Sequence, residues 1–104
     1  MMPGLVERHI YIKLKAEHAT DDGRAAAAAE IRAVFPRIPG VVALTVGTPA
    51  DEAAAASWDL ALTVRFRSVD DIAGYLHHPL HTEWKTRSLQ PQLEFIKAWT
   101  FAVD

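Results

Sequence analysis

Cysteine is absent from the 104 residues of the chain. This excludes disulfides, thiolate nucleophiles and thiolate metal sites, so stability must come from packing, which can include packing against a second subunit. Long apolar runs are also missing. Charge appears at Glu7 and Arg8 before any apolar stretch develops, and no segment approaches the ~18 residues that a spanning helix needs. We therefore expect a cytoplasmic protein with neither a membrane anchor nor an export signal.

Positive charge is not in excess. The 11 lysines and arginines are outnumbered by 13 aspartates and glutamates, which gives a formal net charge of -2. Nucleic acids and anionic membranes are bound through basic surfaces, so we expect neither as a partner. The hydrophobic content of 50% and the charged content of 23% are ordinary for a globular protein, and the length predicts one domain over residues 1–104.

Hydrophobic residues with a two-residue period predict four β-strands. The strongest pattern covers residues 58–67, and the others cover residues 8–15, 41–47 and 93–103. In the strongest pattern, apolar residues alternate with small or polar ones. The apolar set is Trp58, Leu60, Leu62, Val64 and Phe66.

Helix-forming residues fill the segments between the strands. Residues 24–35 predict one helix, and two more lie between Ser68 and Leu89, separated at Pro79. We expect the Ser68 side chain to cap the first of this pair. Residues 48–57, rich in alanine, could form a loop or one helical turn starting at Pro49, and they are interpreted as a loop.

The order β-α-β-β-α-β predicts an α+β, ferredoxin-like fold with a four-stranded antiparallel sheet and helices on one face. We expect the opposite face to be less polar than a solvated face usually is. It would carry Tyr11, Ala61, Thr63, Ala98 and Ala102, alongside Lys13 and Arg65. A second copy of the chain covering this face would form a dimeric α+β barrel. A monomer with a mixed surface is the alternative.

The segment GYLHHPLH, residues 74–81, concentrates side chains that can do chemistry. His81 is suited to remove a proton next to a carbonyl, and Tyr75 to donate a hydrogen bond to the oxygen as it gains charge. If Pro79 is the first helical residue, the helix dipole keeps the ring of His81 neutral. The structural alternative is that the ring of Tyr75 only packs and that His78 caps the helix.

No cofactor or metal is predicted. His78 and His81 are close in sequence to Glu83, but Pro79 keeps His78 off the helical face that carries His81. We expect His78 to contribute to substrate binding instead. Four apolar residues are candidates for the lining of the pocket, although all of them could be ordinary core. They are Leu62, Val64, Phe66 and Trp84.

Residues 58–81, WDLALTVRFRSVDDIAGYLHHPLH, resemble the stress-responsive dimeric A/B barrel (Dabb) family. The shared pattern is an alternating strand, a turn with Phe and Ser, a Tyr four residues before a Pro, and an H-P-x-H ending. The resemblance implies a homodimer whose two sheets form a barrel, with a cavity between each sheet and its helices. Plant polyketide cyclases of the olivetolic acid cyclase type are similar, and they use a Tyr and a His that match Tyr75 and His81. His78 matches the first His of the motif.

The first strand departs from the family pattern, which has a His at a fixed distance before Lys-x-Lys. Here His9 lies one residue closer to KLK, so the alignment puts Arg8 at the family position. A slip of one residue turns a side chain to the other face of the sheet. His9 is therefore a candidate substrate-binding residue if it faces the pocket, and a residue of the dimer barrel if it does not.

Three functions remain open at this point. The first is a homodimer that binds a small, largely apolar carbonyl or phenolic compound and acts as a cofactor-free cyclase or isomerase. The second is a stress-related binding protein without turnover, and the third is a cofactor-free monooxygenase acting on quinol-like substrates. One architecture serves all three.

Overall fold

The computed structural model describes residues 5–103. Four strands form one antiparallel sheet, and helices cover one of its faces, so the predicted ferredoxin-like architecture is confirmed. The spatial order of the strands is β2-β3-β1-β4, which puts β1 and β3 in the centre. The strands are β1 (Leu5–Leu14), β2 (Ala43–Gly47), β3 (Leu60–Phe66) and β4 (Leu93–Val103).

Four α-helices connect the strands within the described part of the chain. They are α1 (Asp21–Val34), α2 (Glu52–Ser57), α3 (Asp70–His77) and α4 (Pro79–Glu83). A π-helical turn, Trp84–Leu89, continues α4 and replaces the longer α-helix expected there. Short 3-10 turns cover Ala16–His18, Phe35–Arg37 and Gln90–Gln92.

The helix starts show two differences from the sequence-based expectations. The segment interpreted as a loop contains α2, because the Asp51 side chain accepts a hydrogen bond of 2.9 Å from the Ala54 backbone amide and starts a short alanine helix. Ser68 does not cap α3. Val69 occupies the cap position, and no side chain makes a capping hydrogen bond there.

The pairing of β4 with β1 decides which side chains face the helices. Ala98 pairs with Ile10 and Ala102 pairs with Val6, and both partners are buried under the helices. The expectation that Ala98 and Ala102 lie on the open face is therefore wrong. Since paired residues share a face, the bulky residues of β4 project from the other side. Trp99, for example, pairs with His9.

A register shift in the ladder between β1 and β4 accompanies this arrangement. Lys13 pairs with Phe95, whereas the next residue, Leu14, pairs with Leu93. The extra residue, Glu94, makes a β-bulge at the start of β4. The open face consequently carries Phe95, Trp99 and Phe101, exposed by 46%, 50% and 53%.

One buried charge joins three elements of the core. The carboxylate of Asp59, which is fully buried, accepts hydrogen bonds from the Leu14 backbone amide (2.7 Å) and from Nε of Arg24 (2.9 Å). It thereby links the end of β1 to α1 and to the start of β3. Among residues 5–103, no helix is long and apolar enough to cross a bilayer.

Candidate functional site

A cavity of about 340 Å³ lies between the helix-facing side of β1 and β4 and the segment that runs from α3 to the π-helical turn. This volume falls within the range of small-molecule sites. Apolar side chains dominate the lining, and five residues contribute polar groups: Arg8, Tyr75, His81, Lys85 and Gln90. Four smaller hollows contain neither histidine nor tyrosine, so this cavity is the candidate site.

Small residues on β4 help to explain why the cavity exists. Ala98 lines it at a position where a larger side chain, directed at the helices, would take up part of the space. The opposite wall includes Trp84 and Leu89, the two ends of the π-helical turn. Turns of this type are rare and are frequent at functional sites.

Two successive helices bring Tyr75 and His81 together. Tyr75 belongs to the last turn of α3, and the chain then leaves the helical conformation at His78, where ψ is 139°. Pro79 starts α4, which places His81 in its first turn. The ring centroids of Tyr75 and His81 are 4.6 Å apart, and both residues line the cavity.

The imidazole of His81 is held in its neutral form. The residue is 8% exposed, and this burial lowers its pKa below the usual 6.5. The positive charges of Lys85 and Arg8 lower the pKa further, and the backbone carbonyl of Leu76 opposes them. Nδ1 is buried with no hydrogen-bond partner of normal geometry among the described residues. Burial is therefore the largest cause of the lowered pKa of His81.

The phenol of Tyr75 keeps its proton. The residue is 1% exposed, and burial raises its pKa well above the usual 10.0, with the charge of Arg8 acting weakly in the other direction. The rings of Phe35 and Phe66 pack edge-on against it at 5.8 Å and 5.0 Å. Tyr75 is therefore a rigidly placed hydroxyl donor beside a neutral imidazole.

His78 lies outside the lining of the cavity. Its Nδ1 accepts a hydrogen bond of 3.1 Å from the Leu80 backbone amide, which is the helix-capping role weighed as the alternative. It contributes to the site indirectly, because the cap fixes the break between α3 and α4.

The predicted apolar lining divides into two groups. Trp84 lines the cavity and packs edge-on against Phe35 at 4.8 Å. Leu62, Val64 and Phe66 are at most 2% exposed and belong to the core under the helices instead of the cavity wall. Their strand β3 is separated from the cavity by β1, its neighbour in the sheet.

His9 does not lie in the cavity. It projects from the open face, where Nε2 is 3.3 Å from a carboxylate oxygen of Glu7 and the ring packs edge-on against Phe101 at 5.5 Å. Arg8, its neighbour, takes the cavity position that the family alignment indicated. The sequence contained a signal for Arg8 as a cavity residue, because this charged residue falls on the same face of β1 as Ile10 and Ile12.

Metal ligands do not converge at the site. In the described part of the chain, no group of three or more histidine, aspartate or glutamate side chains could hold a metal ion. The polar groups of the cavity are instead a phenol, a neutral imidazole, a primary amide and two cations.

Comparison with known proteins identifies the family. The model of the stress responsive A/B barrel domain matches residues 6–103. The chain belongs to the Dabb family. A search of curated proteins finds no match.

Solved structures share the fold of this Dabb chain across nearly its whole length. A Dabb protein from Mesorhizobium loti is 15% identical, with a TM-score of 0.81 and coverage of 96% of this chain and 97% of that one. A dimeric protein of unknown function from Bacteroides fragilis is 20% identical, with a TM-score of 0.80 and coverage of 99% and 100%. The hydroxynitrile lyase from Passiflora edulis is 17% identical, with a TM-score of 0.79 and coverage of 98% and 95%. At these identities the likeness concerns the fold alone.

Proposed function

We propose that this Dabb protein is a homodimer that binds a small, largely apolar carbonyl or phenolic compound and catalyses proton transfer on it, as a cofactor-free cyclase or isomerase. One observation carries the proposal: the buried, neutral ring of His81 lies 4.6 Å from the ring of the protonated Tyr75 at the wall of a cavity. A base and a hydroxyl donor beside space for a ligand are the groups that this chemistry needs.

The reaction begins when His81 takes a proton from the carbon next to the carbonyl. The electron pair of that C–H bond moves towards the carbonyl oxygen, and the enolate oxygen receives a hydrogen bond from Tyr75. In an isomerisation the imidazolium returns the proton to another atom of the same ligand. In a cyclisation the enolate carbon attacks a second carbonyl, whose oxygen takes the proton from His81. The base is neutral again at the end of either sequence.

The homodimer is supported by the open face of the sheet and by the Bacteroides fragilis relative, which is dimeric. Trp99 and Phe101 are about half exposed there, at 50% and 53%, and large exposed apolar patches mark contact surfaces. The Passiflora edulis relative is a lyase, which supports the view that this fold can carry enzymatic chemistry.

Deuterium exchange tests the proton-transfer step without knowledge of the natural substrate. The probe is 4-phenylbutan-2-one in D2O at neutral pD, and proton NMR follows the loss of signal from the positions next to the carbonyl. We expect the protein to accelerate exchange over buffer, and His81→Ala to reduce that acceleration by about 100-fold or more. Tyr75→Phe should reduce it by about 100-fold because the oxygen loses its donor.

Matched controls are available on the surface. His77→Ala removes an exposed histidine of α3, and Tyr11→Phe removes a hydroxyl from the open face; neither residue lines the cavity. Both variants should exchange the probe at the wild-type rate. Binding of the ketone without accelerated exchange would favour the stress-related binding protein, and equal rates for His81→Ala and wild type would reject His81 as the base.

A further inference from the structure

Arg8 occupies an unusual place for a cation. Its position on the central strand β1 falls between Val6 and Ile10, which are 6% and 4% exposed, on the face that the helices cover. Across the ladders it pairs with Val64, which is fully buried, and with Thr100. Arginine on such a face costs free energy unless its charge is paired.

The described part of the chain provides no carboxylate for this guanidinium. Nη1 donates a hydrogen bond of 3.1 Å to Oγ1 of Thr100, and no aspartate or glutamate among residues 5–103 forms an ion pair with Arg8. Arg24 and Arg65, in contrast, are paired with Asp59 and Glu7. A guanidinium has five N–H donors, so most donors of Arg8 have no acceptor among residues 5–103 and can bind a ligand.

The cavity is cationic although the chain is not. Arg8 and Lys85 both line it, and none of its described lining residues is acidic, whereas the whole chain has a formal net charge of -2. A concave site with charges of one sign and apolar walls concentrates ligands of the opposite sign. The walls next to the two cations include Leu89 and Ile96, which suit an apolar body.

We infer that Arg8, aided by Lys85, binds a carboxylate of the ligand, so that the protein acts on small carboxylic acids with an apolar body and a carbonyl or phenolic group. The planar guanidinium can hold both oxygens of a carboxylate in parallel hydrogen bonds, which also fixes the orientation of the ligand. This inference rests on the proposed function, because it assigns the anionic end of the ligand to the cavity that contains His81 and Tyr75.

Two probes with one apolar body test the carboxylate preference by titration calorimetry. They are 3-phenylpropanoate and its neutral isostere 3-phenylpropanamide. We expect the wild type to bind the acid about 10- to 100-fold more tightly than the amide, the range for a hydrogen bond to a charged group. Arg8→Gln should abolish that preference, because it weakens binding of the acid far more than binding of the amide.

Control variants separate the local charge from the total charge. Arg67→Gln removes one positive charge from the exposed residue that follows β3, outside the cavity, and should keep the wild-type preference. Arg8→Lys keeps the charge but loses the planar fork, so it should retain only part of the preference. NMR signals of the His81 ring should shift on titration with the acid, while those of His77 should not.

Equal binding of the acid and the amide by the wild type would overturn the inference, and this comparison needs no variant. Unchanged His81 signals on binding of the acid would also overturn it, because the acid would then bind elsewhere. The two proposals fail separately. Ketone exchange that depends on His81, together with equal binding of acid and amide, rejects the carboxylate site alone. Binding of the acid that depends on Arg8, together with no deuterium exchange of the ketone or of the keto acid 4-oxo-4-phenylbutanoate, rejects catalysis alone.

Discussion

Trp99 lies near the middle of β4 on the sheet face that the helices leave uncovered, and it is 50% exposed. It pairs with His9 of β1 and has Phe101 next to it on the same face. If two copies of the chain close a barrel, this side chain becomes buried between the sheets. The substitution Trp99→Glu removes the apolar ring and introduces a charge at the point of contact.

The expected loss of dimerisation free energy follows from the exposed area of Trp99. A buried tryptophan covers up to about 250 Å², so a half-exposed ring leaves about 125 Å² for the partner to cover. At about 25 cal/mol per Å², that area contributes about 3 kcal/mol for each copy, or about 6 kcal/mol for the two copies of a symmetric dimer. Loss of this contribution raises the dissociation constant by about 10⁴-fold. Burial of the glutamate charge would weaken the dimer further.

Sedimentation velocity over a wide concentration range measures the effect. The wild type should sediment as a dimer, and Trp99→Glu as a monomer at the same concentrations. Val69→Glu is the matched control, because Val69 is 61% exposed at the start of α3, away from the sheet face, and its replacement should leave the dimer intact. A wild-type monomer, or a Trp99→Glu dimer as tight as the control, would refute the barrel.

Two further predictions concern buried ionisable groups. Asp59→Ala should lower the free energy of unfolding by about 3 kcal/mol, because a buried amide and Arg24 lose their acceptor. Asp21→Ala removes an exposed carboxylate 3.6 Å from the same arginine and should cost less than about 1 kcal/mol in urea denaturation; equal losses would contradict the assignment. His81 binds a proton less readily in the folded chain than in the unfolded chain, so stability should fall as pH drops through 6.5 towards the lowered pKa. Melting temperatures from pH 8 to pH 5 should therefore fall less for His81→Gln than for His77→Gln, and parallel curves would reject the buried neutral ring.

Secondary structure was predictable where the pattern was strong. The last strand begins and ends at the residues expected from its alternation, and the break between α3 and α4 at His78 follows from Pro79. For the alanine-rich segment before β3, a loop was preferred over a helical turn, and this choice was wrong. Its helical conformation depends on the hydrogen bond that the Ala54 backbone amide donates to the Asp51 side chain, which composition alone does not reveal.

The candidate site was predictable in part. The motif that ends in H-P-x-H pointed to Tyr75 and His81, which the fold does bring together at the cavity. The apolar residues of β3 were not distinguishable from core, because a core and a cavity wall have the same composition. Whether His9 or Arg8 faces the cavity depended on the face of β1 that meets the helices, and the alternation of Ile10 and Ile12 already favoured Arg8.

By itself the amino-acid sequence determined the number of strands, the break between α3 and α4 at Pro79 and the absence of thiol chemistry. These features depend on local periodicity and composition. The tertiary structure alone decided that the small residues of β4, and not its aromatic ones, face the helices. A strand with large residues on one side and small ones on the other can turn either side toward the helices. Only the register of β4 with β1 decides which side faces them. That selection leaves room for a cavity beside His81 and exposes Trp99 to a partner.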